Sequence, residues 1–340
     1  MPRLKISDCT LRDGSHAIAH QLSEEQIRAY ASIIDEAGLS YVEVGHGNGL
    51  GASSFQVGQS LLSDDTMLRT AKECLKKTKL SVHVMPGCAT VDKDIKPALA
   101  HGVDVFRIAS HCTEADITQT HIEFLSKRNI DVFGVLMMSH MIDKEGLLDS
   151  CKKMESYGAQ GIILMDSAGA YVPQEVFQRI SFLKESVDIE LGFHAHNNLG
   201  LAMSNTIAAL EAGATILDGT ARGFGAGAGN CQLEVLVPVL GKLGYETGIN
   251  LYKVLDAAEI AEEKLIKELP FSKTMSIVTG LSGLFSGFAK PIKRLAALYG
   301  VDPKEVVFEL GKRKIIAGQE DMILEVINNL LSNDAAQKFS

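Results

Sequence analysis

The feature that most constrains the fold is a series of short apolar runs that recurs about every thirty residues through the first two thirds of the chain. Each run has the length of a buried strand, and the segments between the runs carry apolar residues at helical spacing. The runs occupy residues 4–7, 41–44, 80–84, 103–108, 132–137, 161–165, 189–194 and 216–218. Several helical segments end in glycine just before the next run, which is typical of helix C-caps. Eight strand–helix units in a row predict a (β/α)₈ TIM barrel.

An open, doubly wound sheet is the alternative arrangement of such units. It is disfavoured because no Gly-x-Gly-x-x-Gly turn follows the first run, and a phosphate-loop pattern is also missing. After the helical segment at 233–243 the chain carries helical patterns and no convincing strand. The sequence therefore predicts a catalytic barrel over residues 1–248 and a helical domain over 249–340, which would cap the barrel or form an interface.

Charge and composition exclude several classes of function. The formal net charge is -9, which argues against a nucleic-acid partner and against an anionic membrane surface. No stretch has the length of a membrane helix, and the N-terminus lacks the apolar region of a signal peptide. The six cysteines are scattered without a Cys-x-x-Cys pair, which is typical of reduced thiols. We expect a cytoplasmic enzyme.

His194 and His196 are the strongest indication of a metal site. They end an apolar run, and side chains two apart on a strand point to the same side. Asp13 follows the first predicted strand, and the carboxyl ends of barrel strands meet at one face. One carboxylate and two imidazoles with open positions suit Mn²⁺, Mg²⁺, Fe²⁺ or Zn²⁺. The alternative is an accidental pair of histidines.

Two further residues beside Asp13 are candidates for the chemistry. Arg12 is a fixed positive charge that could stabilise an oxyanion or hold a carboxylate, or could simply pair with an acid at the barrel rim. His16 lies in the following loop, where it could serve as a general base or be an ordinary exposed histidine. We interpret Asp8, Glu43 and Asp218 as hydrogen-bond partners at the barrel top rather than as ligands.

A glycine-rich loop, GFGAGAGN at residues 223–230, follows the eighth strand. Such a loop can cradle an anion with its backbone N–H groups, or it can form a tight turn that lies flat over the barrel mouth. The spacing alone does not separate these alternatives.

Together these motifs resemble the 4-hydroxy-2-oxovalerate aldolases, which are class II pyruvate aldolases of the DRE-TIM metallolyase superfamily. The segment TLRDGSHAI at residues 10–18 and the His-x-His of strand seven are similar to the superfamily motifs. The glycine-rich loop, VEVGHG at 42–47, SHCTEAD at 110–116, LMMSHM at 136–141 and AGQEDM at 317–322 are similar to the aldolase branch. The likeness covers nearly the whole chain.

The resemblance implies a carbon–carbon lyase of aromatic hydrocarbon catabolism that cleaves a 4-hydroxy-2-oxoacid to pyruvate and a short aldehyde. It implies a divalent metal, usually Mn²⁺, with Mg²⁺, Co²⁺ or another ion as alternatives, held by Asp13, His194 and His196. The substrate would contact the metal site, His16 would be the base, and Arg12 would stabilise the enolate oxygen. Ser167 matches a contact to the substrate carboxylate.

Two positions depart from the family pattern. Phe285 stands where the family usually has a tyrosine that reaches the substrate pocket, which bears on stereochemical control at C4. Ala19 stands where an arginine often precedes His20. The resemblance also implies an acylating acetaldehyde dehydrogenase as partner, docked on the helical C-terminal domain.

Two other functions remain to be weighed. A Claisen-type condensing enzyme or acyl-CoA lyase of the same superfamily would share the metal and the arginine but would need an acyl-CoA site. A non-catalytic paralogue would act only as a structural subunit, against which the intact set of Arg12, Asp13, His16, His194 and His196 argues.

Overall fold

A computed structural model describes residues 4–338, with side chains through residue 332. Within that range eight parallel strands form a closed barrel in which each strand pairs with the next and β8 pairs with β1. The strands are β1 (Lys5–Asp8), β2 (Tyr41–Glu43), β3 (Lys79–Val84), β4 (Val105–His111), β5 (Asp131–Met137), β6 (Gly161–Asp166), β7 (Glu190–Ala195) and β8 (Ile216–Gly219). The predicted (β/α)₈ barrel is confirmed.

Helices cover the outside of the barrel. They are α1 (Glu24–Asp35), α2 (Asp64–Cys74), α3 (Lys96–Ala100), α4 (Gln119–Ser126), α5 (Lys144–Ser156), α6 (Pro173–Lys184), α7 (Ala202–Glu211) and α8 (Leu233–Lys242). The third helix is shorter than its apolar pattern suggests, because a π-helical turn over Val91–Ile95 precedes it. Pro97 lacks the N–H that would continue an α-helical ladder there, so the preceding turn widens.

The barrel interior is divided between an apolar floor and a polar upper layer. Side chains on β4 alternate between the helices and the interior, so Val105, Arg107 and Ala109 face inward. Val105 and Ala109 join an apolar cluster with Tyr41 and Phe133. Arg107 is a charged side chain in this interior, at 2% exposure, and its position decides much of the site above it.

Beyond the barrel the chain continues in five helices, namely α9 (Leu251–Ile260), α10 (Thr274–Ser282), α11 (Ala289–Tyr299), α12 (Pro303–Lys312) and α13 (Met322–Lys338). Helix α9 packs against α1 and shares the apolar core of the barrel, whereas a separate apolar cluster begins at Met275. The packing therefore favours a boundary between α9 and α10, and the division at residue 248 stays a prediction. None of the helices between residues 4 and 338 has the length and hydropathy needed to cross a membrane.

Helix α10 lies over the mouth of the barrel. Gly280 faces Leu199 and the carbonyl oxygen of Gly169 so closely that a side chain would not fit there. Asn198, just after β7, donates a hydrogen bond to Thr279 Oγ1 at 3.1 Å. The second apolar cluster is thereby held against the face of the barrel at which the polar strand ends meet.

Candidate active site

The carboxylate that follows β1 and the two imidazoles of β7 meet at the barrel mouth. Asp13 opens a 3₁₀ turn (Asp13–Ile18), His194 is the penultimate residue of β7, and His196 follows that strand. Asp13 Oδ2 lies 3.2 Å from His194 Nε2 and 3.9 Å from His196 Nε2. Potential ligand atoms of all three residues lie within 4.8 Å of one another, and all three side chains are buried. The loop after β1 and the end of β7 therefore bring these three side chains together, at the place where the sequence predicts a metal site.

His194 is oriented by Asp218 at the end of β8. Its Nδ1 donates to Asp218 Oδ2 at 2.8 Å, so Nε2 is the nitrogen that faces Asp13. Burial disfavours the imidazolium, but hydrogen bonds to Asp13 and Asp218 outweigh it and raise the pKa of His194. A carboxylate behind an imidazole is the arrangement that fixes histidine ligands in metal sites.

The glycine-rich loop binds Asp13 from above. The N–H of Ala226 donates to Asp13 Oδ1 at 2.9 Å, and Asn197 N–H donates to the carbonyl of Gly229 at 2.7 Å. The loop therefore combines the two predicted roles. It lies over the barrel mouth, and one of its backbone N–H groups binds an anion, which is the carboxylate of Asp13. Burial opposes ionisation of Asp13, but Arg12, His196 and His194 hold its pKa well below the usual range.

Arg12 forms several hydrogen bonds and keeps one donor free. Its Nε donates to Glu43 Oε1 at 2.6 Å, and its Nη1 donates to Asp13 Oδ2 at 2.9 Å and to the carbonyl of Gly47 at 3.3 Å. Among the described residues its buried Nη2 has no partner. An unpartnered guanidinium donor in a buried site is costly, and an anionic ligand oxygen would satisfy it. Arg12 therefore pairs with acids of the barrel, and its unpartnered Nη2 leaves the predicted contact to an anionic ligand open.

His16 lies in the same turn as Asp13 with its ring against Gly47. Burial, with Arg12 and His46 adding to it against Asp13, lowers the pKa of His16 to about 4. The imidazole is therefore neutral near pH 7 and able to accept a proton. His20 meets the ring of His16 edge-on, with ring centroids 5.1 Å apart, and stacks on His46, with ring centroids 3.6 Å apart. Three imidazoles therefore line one side of the site.

A cavity of about 720 Å³ lies between the barrel mouth and the C-terminal helices. His16 and Phe285 both line it, together with the glycine-rich loop at Gly225, Ala226 and Gly227. Because Ala226 also binds Asp13, this loop contacts both the cavity and the buried carboxylate. His16 and Phe285 are therefore both accessible to a small organic molecule held in the cavity.

Ser167 and Asp8 are placed differently from the residues above. Ser167 follows β6, is 5% exposed, and accepts a hydrogen bond from the N–H of Met138 at 3.0 Å. The described residues that line the cavity do not include Ser167. Asp8 points away from the barrel mouth and accepts a hydrogen bond from Tyr30 of α1 at 2.7 Å, so its predicted place over the barrel top is wrong. Successive side chains of β1 point alternately into the barrel and toward the surrounding helices, and the side chain of Asp8 points toward the helices.

A second group of potential ligands, formed by Cys9, His194 and Asp218, lies deeper in the barrel. Burial and the neighbouring carboxylates raise the pKa of the Cys9 thiol well above its usual range, so the sulfur stays protonated. Arg107 donates to Cys9 Sγ at 3.3 Å and also binds Asp218. A guanidinium already fills this position, so a metal cation is disfavoured there and the Asp13 group is the better candidate.

Three residues of the site carry no role that sequence reasoning assigned. Arg107 bridges Glu43 and Asp218, Gly47 supports the ring of His16, and Asn230 places its Nδ2 at 3.0 Å from His194 Nε2. The available signal for Arg107 was a charged residue inside an otherwise apolar strand run. Gly47 and Asn230 lie in motifs of the family resemblance, but those motifs do not indicate these contacts, because the partner residues lie far away in the chain.

The barrel and the domain that follows it each match a known protein family. The family model described as HMGL-like matches residues 3–261, and the model of a DmpG-like communication domain matches residues 270–332. The carboxyl transferase domain of Rhizobium etli pyruvate carboxylase, solved with pyruvate and biocytin, has a similar fold with a TM-score of 0.80 at 16% identity, covering 98% of this chain and 61% of that one.

Close relatives narrow the class. A 4-hydroxy-2-oxovalerate aldolase of Spirochaeta aurantia is 57% identical, covering 97% of each chain. One from Pectobacterium atrosepticum is 53% identical, covering 96% of each. The chain belongs to the family of 4-hydroxy-2-oxovalerate aldolases, which are carbon–carbon lyases.

Proposed function

We propose that this chain cleaves 4-hydroxy-2-oxopentanoate, or a close 4-hydroxy-2-oxoacid, to pyruvate and acetaldehyde or another short aldehyde. The observation that carries the proposal is the meeting of Asp13, His194 and His196 beside the free donor of Arg12. The membership of the chain in the aldolase family supports the reaction, and the placement of these side chains supports the assignment of roles.

The chemistry of the donor set fits a divalent cation. Asp13 is ionised, burial lowers the pKa of His196 to about 4, and His194 presents Nε2 because Asp218 accepts from its Nδ1. One carboxylate oxygen and two imidazole nitrogens suit Mn²⁺, with Mg²⁺ or Co²⁺ as alternatives. Asp13, His194 and His196 would hold the ion, which when bound would supply a Lewis acid for the 2-oxo acid.

His16 and Arg12 divide the bond-breaking chemistry between them. The neutral imidazole of His16 accepts the proton of the C4 hydroxyl, the C3–C4 bond breaks, and the aldehyde leaves. The electron pair of that bond becomes the enolate of pyruvate, which takes up a proton at C3 from water, and His16 releases the proton that it accepted to water, so that protons balance over the reaction. The free Nη2 of Arg12 donates to the enolate oxygen, and a donor placed in advance where charge develops lowers the barrier.

Ser167 and Phe285 would contact the substrate away from the reacting bond. Ser167 uses its oxygen to accept from Met138, so its hydroxyl hydrogen is free to donate to a carboxylate. Phe285 lines the cavity that also reaches His16, so it would pack against the aldehyde portion of the substrate. An apolar ring in that place favours a short, uncharged aldehyde.

The reaction is tested by pyruvate release from 4-hydroxy-2-oxopentanoate under added Mn²⁺, with acyl-CoA thioesters as the rival substrates. We expect pyruvate release that chelation abolishes and Mn²⁺ restores, and no thioester turnover. Asp13→Asn should lose bound Mn²⁺ and activity while the protein stays folded. Thioester turnover without pyruvate release would favour the Claisen-type alternative, and an Asp13→Asn protein with wild-type Mn²⁺ content would remove Asp13 from the ligand set.

An acylating acetaldehyde dehydrogenase is the proposed protein partner. The match to a communication domain over residues 270–332 supports this, and so do large apolar side chains exposed in that region, such as Leu281 at 63% and Leu298 at 74%. On mixing we expect a hetero-oligomer mass that Leu298→Glu reduces. Phe55→Glu, at a residue 94% exposed on a barrel loop, serves as the control and should leave the complex intact. Separate elution of the two proteins would contradict the proposal.

A further inference from the structure

Arg107 is a fully buried cation in the middle of the barrel that the proposed reaction does not use. It extends from β4 into the interior at 2% exposure. Its Nη2 binds Asp218 Oδ2, and its Nη1 lies 3.1 Å from Glu43 Oε2. One guanidinium therefore joins an acid on β2 to an acid on β8, the two strands that flank β1 in the barrel.

Each of these two carboxylates also accepts a hydrogen bond from a different functional side chain. Glu43 Oε1 accepts from Arg12 Nε at 2.6 Å, and Asp218 Oδ2 accepts from His194 Nδ1 at 2.8 Å. Arg12, Glu43, Arg107, Asp218 and His194 thus form one continuous chain of polar contacts, in which the Arg107–Glu43 link is an ion pair and the others are hydrogen bonds. Its two ends, Arg12 and His194, also both contact Asp13 Oδ2, so the chain closes into a ring around the site.

The ring contains three buried carboxylates, which need compensating positive charge. Asp13, Glu43 and Asp218 are each buried at 1% exposure or less, and without Arg107 the basic side chains left in the ring would be Arg12 and His194. An uncompensated buried carboxylate is strongly unfavourable, so it would take up a proton or turn away toward water. Either change would alter an acceptor that now fixes Arg12 or His194.

We propose that Arg107 is a positioning residue for the aldol cleavage, which fixes the direction of Arg12 through Glu43 and the direction of His194 through Asp218. The inference rests on the proposed function for the roles of Arg12 and His194. Arg107 contacts neither substrate nor reacting atoms, so its action is indirect. It couples two properties that are otherwise separate, the affinity for the metal ion and the rate of the bond-breaking step.

The coupling gives a distinctive pattern among four variants. Asp218→Asn should weaken Mn²⁺ binding about 10–100-fold, which is the usual effect of losing a residue that orients a metal ligand. Glu43→Gln should lower kcat with a smaller effect on Mn²⁺ affinity, because it acts on Arg12. Arg107→Met should do both. Arg179→Met is the matched control, since Arg179 donates to the backbone carbonyls of Ser139 and Ile142 and should affect neither property.

The measurements are Mn²⁺ affinity by titration of the metal-free proteins, kcat and KM for pyruvate release, and thermal unfolding for each variant. Arg107→Lys decides the matter if Arg107→Met does not fold. An ammonium lacks the planar fork that spans both acids, so we expect Arg107→Lys to recover one of the two properties and not both. Wild-type Mn²⁺ affinity and kcat in a folded Arg107→Met or Arg107→Lys protein would overturn the proposal. Mn²⁺ binding is measured without turnover, so a failure of the proposed reaction in the wild type is seen separately.

Discussion

The ring of His16 lies directly over the α-carbon of Gly47, and a methyl group there would come within 2.6 Å of three ring atoms. The carbonyl of the same glycine accepts from Arg12 Nη1 at 3.3 Å. A single residue after β2 therefore supports both the proposed base and the proposed enolate-binding arginine. The position admits no side chain without moving one of them.

Gly47→Ala should lower kcat without loss of metal. The added methyl displaces the ring of His16, and a shift of about 1 Å in a catalytic group can cost about 100-fold in rate. Bound Mn²⁺ should stay at the wild-type level, because Gly47 does not contact Asp13, His194 or His196. Gly241→Ala is the control, since nothing lies within 4 Å of its added carbon. Wild-type kcat in Gly47→Ala would show that the ring can move freely.

His16→Ala should reduce turnover while leaving Mn²⁺ content unchanged. Loss of a general base costs about 10²–10⁴-fold in rate. Metal analysis of the purified variant beside its kcat checks the division of roles, and His101→Ala, at a histidine that pairs with exposed Asp65, provides the comparison. Loss of bound metal in His16→Ala would refute its assignment as base.

Arg12→Lys should damage catalysis severely although the charge is kept. The guanidinium donates to Glu43, Asp13 and Gly47 and still has Nη2 free, whereas an ammonium has three donors on one atom. Removing one donor to a developing oxyanion costs about 10²–10³-fold in kcat. Pyruvate release at saturating substrate is the measurement. Activity close to that of the wild type would remove Arg12 from the mechanism.

Phe285→Tyr should sharpen the preference between the two configurations at C4. A hydroxyl group in the cavity that His16 also lines can hydrogen-bond the C4 oxygen of one enantiomer and not of the other, because their C4 substituents point in different directions. The fraction of racemic 4-hydroxy-2-oxopentanoate consumed at completion reports this preference. Phe271→Tyr, on the same cavity at 55% exposure, is the matched control. An unchanged fraction in Phe285→Tyr would exclude this position from stereochemical control.

Asp166 should make the protein less stable as the pH rises from about 4 to about 7. Burial raises its pKa to about 7 despite hydrogen bonds from the N–H groups of Ala170 and Tyr171. Between about pH 4 and pH 7 the folded state keeps a proton that the unfolded state has lost, so stability falls by up to about 1.4 kcal/mol per pH unit. The loss is complete above the raised pKa.

Urea unfolding of the wild type and Asp166→Asn at several pH values between 5 and 8 measures this contribution. The asparagine does not titrate, so the variant should show a shallower decline of stability with pH. Asp302→Asn, at an exposed helix N-cap whose pKa is lowered, should keep the wild-type decline in this range. Parallel pH curves for the wild type and Asp166→Asn would contradict the assignment.

Several features of the fold and site follow from local sequence alone. The eight apolar runs mark the strands, because successive side chains of a buried strand point to opposite faces and both faces are covered. This signal depends only on residues that are neighbours in the chain. Asp13, His194 and His196 could be joined across 181 residues because a closed parallel barrel brings all strand ends to one face. Helix α2 has a low apolar content and buries only a narrow face at Met67, Leu68 and Ala71, so its own pattern indicates a helix weakly.

The sequence by itself determined the barrel, the chemical types of the site residues and the strands that carry them. Only the tertiary structure decided that Arg107 bridges Glu43 and Asp218, that Gly47 bears the ring of His16, and that α9 packs with the barrel. The physical reason is the separation along the chain of the residues that interact. Periodicity records which side of a strand or helix is buried, whereas a hydrogen bond or a close packing contact depends on side chains brought together from distant parts of the chain.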